Sequence, residues 1–324
     1  RRLPTGAQDS ILPNTGVSQL AFEKRDYFGW PESYWLTNGE VELVAPSEIG
    51  PRIMRYGFVG GRNVFHNFPH ALGKSGEPQW QNRGGHRLWV APEHPTISKA
   101  LDNTPVEIVA EDLRLLIRQP VEPESGMAKE MEIALALEGT CVTVRHRVTN
   151  RNPWTVRFAP WALSVMRPGG TAVAGFPPRF RHDERLLPTN PLVMWGYTDF
   201  SDPRWRFTRR FLLLRQDSAA AAPQKAGMFA ENAWAAYSIH GDLFLKRAQA
   251  NAGHEYPDFG CSVEIFTNQN MLEMETLGPL AEVPPGAAVE HIEEWSLHRA
   301  PDLTSATDDE IAATLRGIDP NTAV

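Results

Sequence analysis

The sequence predicts an all-β fold in which mostly antiparallel strands form a large sandwich or barrel. Period-two alternation of apolar and polar residues recurs along the chain, as it does in half-buried strands. The alternating segments are short, and 25 glycines and 27 prolines supply turns between them. One segment alone has a convincing helical pattern, so the chain lacks the strand–helix alternation of βαβ folds.

The strands are predicted in chain order from this alternation. Residues 129–138 alternate cleanly, with an apolar face that ends at Leu137, and residues 140–149 follow directly after Gly139. These two segments predict an antiparallel pair. A second hairpin is expected around Glu111-Asp112. The predicted strands are 40–44, 52–58, 106–110, 113–118, 129–138, 140–149, 156–165, 211–216, 233–240, 243–248, 263–268, 271–277 and 289–298.

The convincing helix lies near the C-terminus. Thr307 is a suitable N-cap, three acidic residues follow it in the first turn, and Gly317 is a natural stop. We expect this helix to pack on the outside of the strands. Residues 1–20 have little periodicity and predict an N-terminal arm. The simplest organisation is a single domain over residues 1–324, with the helix and a tail in residues 303–324.

Composition and missing motifs exclude several classes of function. The net charge of −7 and the pI near 5.8 argue against nucleic acid or an anionic membrane surface as a partner. No apolar run is long enough to cross a bilayer. A phosphate-cradling glycine loop and a Gly-x-Ser-x-Gly elbow are both missing from the sequence. Phosphoryl-transfer and hydride-transfer enzymes are therefore poor candidates, and we expect no cofactor.

The two cysteines, Cys141 and Cys261, lie in predicted strands. Free buried thiols are the default interpretation, although a disulfide between them stays open. The sequence has no metal-ligand spacing of cysteine and histidine, so we expect no metal. The chain begins with Arg1-Arg2 instead of methionine, which favours an exported, periplasmic protein over a cytoplasmic one.

Paired glutamates mark the first candidate site. In a strand over residues 271–277, Glu273 and Glu275 share a face with Met271 and Leu277. A carboxylate with apolar neighbours is either paired or has a raised pKa, which suits general acid–base chemistry. The alternative is a solvated face that carries two ordinary surface glutamates.

Residues 82–94 form a second candidate site around a glycine pair. Its members are Arg83, Gly84, Gly85, His86, Arg87, Trp89, Glu93 and His94. Glycines allow a ligand to approach the backbone, and arginine, imidazole and indole together suit a hydroxylated or anionic ring. The alternative is a polar loop that leads into an edge strand.

Two other segments complete the set of candidates. Residues 159–170 contain Trp161 in a mostly apolar stretch that is core by default. Residues 289–297 place His291, Glu293 and Trp295 on one face. This face could line a cleft, but a polar outer face is the interpretation that we favour.

In this order the segments resemble the galactose mutarotase-like superfamily, which comprises aldose 1-epimerases and relatives on a large β-supersandwich. The resemblance covers roughly residues 40–297 and points more narrowly to a bacterial branch. The segments that carry it are 49–53, 83–89, 272–279, and the turn 284–286 followed by 290–297.

The resemblance implies a sugar or oligosaccharide as ligand and gives roles to individual residues. Glu275 is similar to the family's general base, and His86 is its polar partner. Together with the local clusters described above, the candidate substrate-binding residues are Arg52, Arg83, Arg87, Trp89, Glu93, Trp161, Glu273 and His291. The chain departs from the family pattern because His86 follows the glycine pair instead of preceding it. The second family histidine, a general acid, is expected within residues 156–166, where this chain has Trp161 and Ser164.

Three hypotheses follow. The first is an aldose 1-epimerase-like enzyme with Glu275 as base and His86 as the other polar partner. The second is a non-catalytic carbohydrate-binding protein in which Trp89 and Trp161 stack on the sugar. The third is a lyase acting on uronic-acid-containing polysaccharide, in which Arg52, Arg83 or Arg87 would neutralise the substrate carboxylate.

Overall fold

The computed structural model describes residues 21–111 and 114–319, and these residues form 22 β-strands with little helix. The strands of the first half are β1 (Ala21–Tyr27), β2 (Trp30–Thr37), β3 (Val41–Ala45), β4 (Arg52–Ile53), β5 (Arg55–Phe58), β6 (Gly85–Ala91), β7 (Glu107–Glu111), β8 (Arg114–Arg118), β9 (Met127–Leu135), β10 (Val142–Asn150) and β11 (Val156–Met166). The predicted N-terminal arm, residues 1–20, lies outside the described residues.

The second half continues with strands up to the C-terminal helix. Its strands are β12 (Thr171–Gly175), β13 (Leu192–Met194), β14 (Trp205–Phe207), β15 (Phe211–Arg215), β16 (Gln224–Met228), β17 (Asn232–Ile239), β18 (Asp242–Gln249), β19 (Val263–Thr267), β20 (Leu272–Leu277), β21 (Ala281–Val283) and β22 (Ala288–Arg299). The helical elements are a 3-10 turn (Pro69–Ala71), the one-turn α1 (Pro257–Gly260) and α2 (Asp308–Ile318).

Three antiparallel sheets contain these strands. The ten-stranded sheet has the order β14-β15-β12-β17-β18-β22-β10-β9-β8-β7. The eight-stranded sheet has the order β13-β16-β19-β20-β11-β6-β4, with β21 paired to β11. A four-stranded sheet, β1-β2-β3-β5, completes the set. The prediction of an all-β fold of mostly antiparallel strands is therefore confirmed.

The two larger sheets pack face to face over the main core. The ten-stranded sheet contributes side chains such as Val144 and Trp295, and the eight-stranded sheet contributes Leu88, Ile265 and Met274. All of these side chains are buried because alternate residues of each strand point to the facing sheet. The opposite face of the eight-stranded sheet, which is turned away from this core, carries the candidate site.

The predicted pair of strands after Gly139 is confirmed, with one correction at its end. Strands β9 and β10 pair in register through Leu135 and Val142, and Gly139 has φ +75° in the turn. Leu137 was predicted on the buried face, but it is 56% exposed. The strand ends at Leu135, so the alternation does not continue into the turn.

Some predicted segments differ from the structure. Residues 52–58 were predicted as one strand, but β4 and β5 belong to different sheets. Residues 85–91 form the internal strand β6, fully buried between β4 and β11, and not a loop that leads into an edge strand. Both faces of β6 carry polar residues, so its alternation is not visible as apolar against polar.

The C-terminal helix is confirmed in its position and its cap. The Thr307 hydroxyl accepts from the backbone N–H of Glu310, whose carboxylate accepts from the backbone N–H of Thr307. This reciprocal arrangement is a capping box. The apolar face of α2, with Ile311 and Leu315, packs on Val173 and neighbouring residues at the outer surface of the ten-stranded sheet.

Both cysteines are free thiols, but they differ in exposure. Cys261 is buried as expected, whereas Cys141 is exposed, which corrects the prediction of two buried thiols. Burial raises the pKa of the Cys261 thiol, so this thiol stays protonated at neutral pH. Within residues 21–111 and 114–319, no helix has the length and hydropathy needed to cross a membrane.

Candidate functional site

Four strands of the eight-stranded sheet, together with β11 between them, bring charged residues to the face that is turned away from the main core. The registers align Arg87 of β6 with Leu163 of β11, then with Glu275 of β20 and Glu264 of β19. The strand β16 adds Lys225 next to this row. We call these residues, with Trp89, Trp161 and Glu273, the outer polar face.

Glu275 lies at the centre of the outer polar face and is 1% exposed. Its Oε2 accepts from the indole Nε1 of Trp161 and from Nζ of Lys225, each at 2.9 Å. Among the described residues no hydrogen bond reaches its other oxygen, Oε1. The carboxylate is therefore fixed through one oxygen, and the second oxygen can interact with a ligand.

Lys225 bridges two carboxyl groups on this face. Its Nζ lies 2.7 Å from Oε2 of Glu264 and 2.9 Å from Oε2 of Glu275. Burial opposes the charge of Lys225, but the two glutamates hold its pKa well above the ordinary lysine value. Burial raises the pKa of Glu264 well above its usual range, and the charge of Glu275 adds to this shift. The face therefore contains a protonated lysine beside a carboxyl group that holds its proton unusually strongly.

Glu273 lies one pleat away from Glu275 and pairs with Arg87. The Nη2 of Arg87 donates to Oε1 of Glu273 at 2.8 Å. Burial raises the pKa of Glu273, although Arg87 opposes this shift. Both glutamates are thus paired and buried, and the alternative of two solvated surface glutamates does not apply.

The tryptophans of this face pack on each other instead of offering open rings. Trp89 and Trp161 meet edge to face at 5.4 Å, and Trp80 packs on Trp89 at 5.6 Å. The predicted stacking platforms, Trp89 and Trp161, are both buried. Trp195 and Tyr197 are the more accessible aromatics, with Nζ of Lys225 lying 4.6 Å from the Trp195 ring centroid.

Tyr197 is near the charged groups of the site and is 43% exposed. Burial is the main cause that raises its pKa to about 12; the charge of Lys225 opposes this rise, and the charges of Glu275 and Glu93 add to it. The phenol is therefore a protonated hydrogen-bond donor at neutral pH. Glu93, which was predicted to bind substrate, is itself exposed, and its nearest ion-pair partner is Lys99 at 3.9 Å. It belongs to the rim of the site and not to its floor.

Three predicted arginines are buried on one side of the site, each with a carboxylate partner. Arg52 on β4 pairs with Asp102 at 2.5 Å, Arg83 pairs with Glu77, and Arg87 pairs with Glu273. Because β4 and β6 are adjacent, Arg52 is the cross-strand partner of Arg87. The structure thus brings together Arg52, Arg83, Arg87, Glu273, Glu275, Trp89 and Trp161.

The glycine pair has a packing role and does not give a ligand access to the backbone. Gly84 and Gly85 have φ values of +80° and +69°. A Cβ at Gly84 would lie 2.0 Å from the carbonyl oxygen of His66, and one at Gly85 would lie 2.5 Å from that of Ile53. The neighbouring backbone therefore fills the space that the sequence analysis assigned to a ligand.

His86 and His291 lie on the opposite side of the eight-stranded sheet from Glu275. His86 precedes Arg87, so its side chain points into the main core, and His291 of β22 points into the same core from the other sheet. The structure therefore does not bring His86 together with Glu275 as an acid–base pair. The favoured outer position for the face of His291, Glu293 and Trp295 is also wrong, because these three side chains are buried.

The buried histidines form a hydrogen-bond network with defined tautomers. Nδ1 of His146 donates to the carbonyl oxygen of His291 at 2.9 Å, because a carbonyl only accepts. Nε2 of neutral His146 then accepts from Nε2 of His86 at 2.8 Å. Nδ1 of His86 accepts from the Ser164 hydroxyl at 2.9 Å. Burial lowers the pKa of all three histidines, to about 3 for His291, so they are neutral at pH 7.

Glu293 is the anion of this interior histidine network. Its Oε1 lies 2.7 Å from Nζ of Lys246 and accepts from the Thr276 hydroxyl, and its Oε2 accepts from Nε1 of Trp295 at 2.8 Å. The Thr276 oxygen in turn accepts from Nε2 of His291 at 2.7 Å. Burial opposes ionisation of Glu293, but Lys246 and the nearby histidines hold its pKa below the ordinary value.

The same network contains a set of atoms that resembles a metal site. Nε2 of His86, Nε2 of His146 and a carboxylate oxygen of Glu293 lie within 4.8 Å of one another. Their hydrogen bonds already join the two imidazole nitrogens, and Lys246 already supplies a cation to Glu293. A divalent ion would have to break the hydrogen bond between His86 and His146, and it would lie beside the positively charged ammonium group of Lys246. These residues fit a hydrogen-bond network better than a metal ion.

Sequence reasoning missed four residues of the site: Glu264, Lys225, Trp195 and Tyr197. Glu264 could have been found, because it alternates with Val263 and Ile265 in a predicted strand. Lys225 lies in β16, a five-residue strand with a glycine that gives little alternation to detect. Trp195 and Tyr197 follow the three-residue strand β13, and no pattern in the sequence links them to Glu275.

Comparisons with known proteins support the fold. No family model and no curated protein matches the chain. A galactose mutarotase-like protein from Lactobacillus casei is 12% identical with a TM-score of 0.54, covering 82% of this chain and 100% of that one. A proposed aldose 1-epimerase from Klebsiella pneumoniae is 11% identical with a TM-score of 0.57, covering 90% and 86%. The Slr1438 protein of Synechocystis is 13% identical with a TM-score of 0.55, covering 86% and 98%. The chain therefore has the galactose mutarotase-like fold.

Proposed function

We propose that this protein binds a carbohydrate on the outer polar face and interconverts its anomers, with Glu275 as the general base. One observation carries the proposal. Glu275 is buried at the centre of this face, with Oε2 held by Trp161 and Lys225 and with Oε1 unoccupied by any described hydrogen-bond donor. A base needs a fixed orientation and an oxygen that no other donor occupies. The mutarotase-like neighbours add support at the level of the fold.

Anomer interconversion needs a base and an acid close to one carbon atom. The base removes the proton of the anomeric hydroxyl while an acid protonates the ring oxygen, and the ring then opens. Both oxygens are bonded to the same carbon. A base and an acid separated by 2.9 Å, as Glu275 and Lys225 are, can therefore contact both oxygens.

We assign the proton donor to Lys225 in place of His86. Lys225 is the protonated group in direct contact with Glu275, whereas His86 lies beyond the sheet. The carboxyl group of Glu264, 2.7 Å from Nζ, holds the ammonium group beside Glu275. When the ring closes on its other face, Glu275 returns its proton to the anomeric oxygen and Lys225 recovers its own. The cycle leaves no net change in protons.

Anomer exchange measured by NMR on a panel of aldoses tests this proposal. We expect acceleration by the wild-type protein and a loss of about 10²-fold or more in Glu275→Gln, the usual contribution of a general base. Glu138→Gln is the matched control, because Glu138 is exposed and distant in the fold. Sugar binding without acceleration of any aldose would contradict the isomerase and favour a binding protein. A new ultraviolet absorbance from an unsaturated uronide would contradict it in favour of a lyase.

A further inference from the structure

We infer that the carbohydrate carries an anionic group, a carboxylate or a phosphate, which Arg83 and Arg87 hold. The inference rests on the proposed function, since it specifies the ligand of the same face. The first observation that supports the inference is burial: the side chains of Arg83 and Arg87 are only 1% and 2% exposed. Most polar atoms withdrawn from water in this way have hydrogen-bond partners, so buried donors without one call for an explanation.

The carboxylates that pair with these arginines satisfy only part of their donors. Glu77 engages Nη2 of Arg83, and Glu273 engages Nη2 of Arg87. In both arginines Nε and Nη1 are buried and have no acceptor among the described residues. Four nitrogen positions in two neighbouring guanidinium groups therefore need acceptors that the described protein does not supply.

The three guanidinium groups lie close together, although each has its own carboxylate partner. Burial lowers the pKa of Arg52 to about 10 despite its partner Asp102, and the charges of Arg87 and Arg83 add to the lowering. The positive charges of Arg83 and Arg87 therefore disfavour the charged form of Arg52. An anion placed among them would relieve this repulsion as well as fill the donor sites.

The unfilled positions favour an anion over a neutral sugar hydroxyl. A hydroxyl brings a proton that itself needs an acceptor, whereas a carboxylate or phosphate only accepts. Four nitrogens of Arg83 and Arg87 have no partner among the described residues, whereas Oδ1 of Asp102 is the one unpartnered acceptor beside these arginines. Unfilled donors therefore outnumber unfilled acceptors. The guanidinium plane of Arg87 is fixed because it lies 4.4 Å from the ring centroid of Trp89. The donor geometry is thus preorganised for an anionic group.

The distance from the base is consistent with one sugar residue. Glu273, the partner of Arg87, is two residues from Glu275 on the same strand face. Two residues along a strand span about 7 Å, roughly the length of a pyranose ring with its exocyclic group. A hexose with C1 at Glu275 therefore directs its far end, the position of a uronic acid carboxylate or a 6-phosphate, toward Arg87.

Calorimetric titration with glucose, glucuronate, glucose 6-phosphate and inorganic phosphate tests the inference. We expect at least one anionic sugar to bind at least 10-fold more tightly than glucose, with weaker binding at high salt. The comparison of glucuronate with glucose 6-phosphate distinguishes a carboxylate from a phosphate. In Arg83→Gln and Arg87→Gln this preference should fall to less than 2-fold, whereas Arg114→Gln, an exposed control, should retain it.

Two results would overturn the inference. One is equal affinity of the wild-type protein for glucose and both anionic sugars, which requires no variant and stands even if the arginine variants fail to fold. The other is a preference that survives in folded Arg83→Gln and Arg87→Gln. If glucose exchanges its anomers and no anion is preferred, the proposed function stands and this inference fails. If anionic sugars bind through the arginines but no sugar exchanges, the inference stands and the isomerase fails.

Discussion

Nε2 of His86 and Nε2 of His146 lie 2.8 Å apart where the two large sheets face each other. His86 belongs to the eight-stranded sheet and His146 to the ten-stranded sheet, so a hydrogen bond between neutral imidazoles joins the two layers. This hydrogen bond needs a single proton between the two Nε2 atoms. Protonation of either imidazole would add a second proton there and place two donors in contact. The stability of the sandwich is therefore linked to the neutrality of this pair.

We expect the free energy of unfolding to decrease as the pH falls below about 6.5. Burial lowers the pKa of His86, His146 and His291 in the folded state, to about 3 for His291, whereas unfolded histidine titrates near 6.5. Between these values the unfolded chain binds more protons, so stability is complete above pH 6.5 and declines below it. Each histidine contributes a slope of up to about 1.4 kcal/mol per pH unit.

Urea unfolding between pH 8 and pH 5 measures this slope. The variant His291→Gln should have a shallower pH dependence than the wild type, because one of the three histidines is removed. The variant His254→Gln replaces an exposed histidine and should leave the slope unchanged. A wild-type free energy that is flat from pH 7.5 to pH 5 would refute the linkage.

Replacement of Lys246 by methionine should destabilise the protein by about 3–5 kcal/mol, the usual cost of breaking a buried ion pair. The reason is that Glu293 would remain buried without its cation, 2.7 Å away in the wild type. The double variant Lys246→Met/Glu293→Gln should recover much of this loss, because no uncompensated charge remains. Chemical denaturation of the four members of the cycle gives the coupling, and additive losses would argue against it.

The fold could be predicted because its main signals are local. The segment around Gly139 alternates over two full strands, and α2 has both a capping residue and an apolar stripe, so each could be identified from its own residues. The candidate site could be predicted only in part. Glu273 and Glu275 share a face in any strand, but which neighbours they meet depends on the order of strands in the sheet, and alternation does not encode that order.

Positions of single histidines were the weakest part of the prediction. His86 directly precedes Arg87 in β6, so the two side chains necessarily occupy opposite faces. The prediction of a single polar cluster over residues 82–94 grouped His86 with Arg87 only because the two are adjacent in sequence. His146 was detectable, since it lies between Val144 and Val148 on a predicted inward face, but its partner in space comes from another sheet.

A comparison of Gly84→Ala with Gly60→Ala should separate backbone strain from steric conflict. Both glycines have positive φ, +80° and +67°, which costs a non-glycine residue about 1–2 kcal/mol. A Cβ at Gly60 meets nothing within 4 Å, whereas one at Gly84 lies 2.0 Å from the backbone oxygen of His66. Thermal and urea unfolding should show a loss of about 1–2 kcal/mol in Gly60→Ala and a clearly larger one in Gly84→Ala. Equal losses would mean that the neighbouring backbone moves freely.

Removal of the α2 cap should cost about 1 kcal/mol of stability. Thr307→Ala deletes the hydroxyl that accepts from the backbone N–H of Glu310, while Thr307→Ser retains it. The loss in Thr307→Ala and near-wild-type stability in Thr307→Ser, followed by urea unfolding, would verify the capping box. A larger effect of Thr307→Ser than of Thr307→Ala would be inconsistent with it.

Lys225→Met should slow anomer exchange by about 10²-fold or more, because the proposed proton donor is lost. Its affinity for sugar should stay within a few-fold of the wild-type value. Methionine keeps the apolar stem that packs near Trp161 and Trp195, so the aromatic surroundings are preserved. Lys99→Met is the matched control at an exposed position.

Lys225→Arg is informative because it keeps a positive charge beside Glu275 but replaces the ammonium group by a planar guanidinium group with its protons in other positions. Full exchange activity in Lys225→Arg would show that Lys225 only orients Glu275, and full activity in Lys225→Met would exclude it from the reaction altogether.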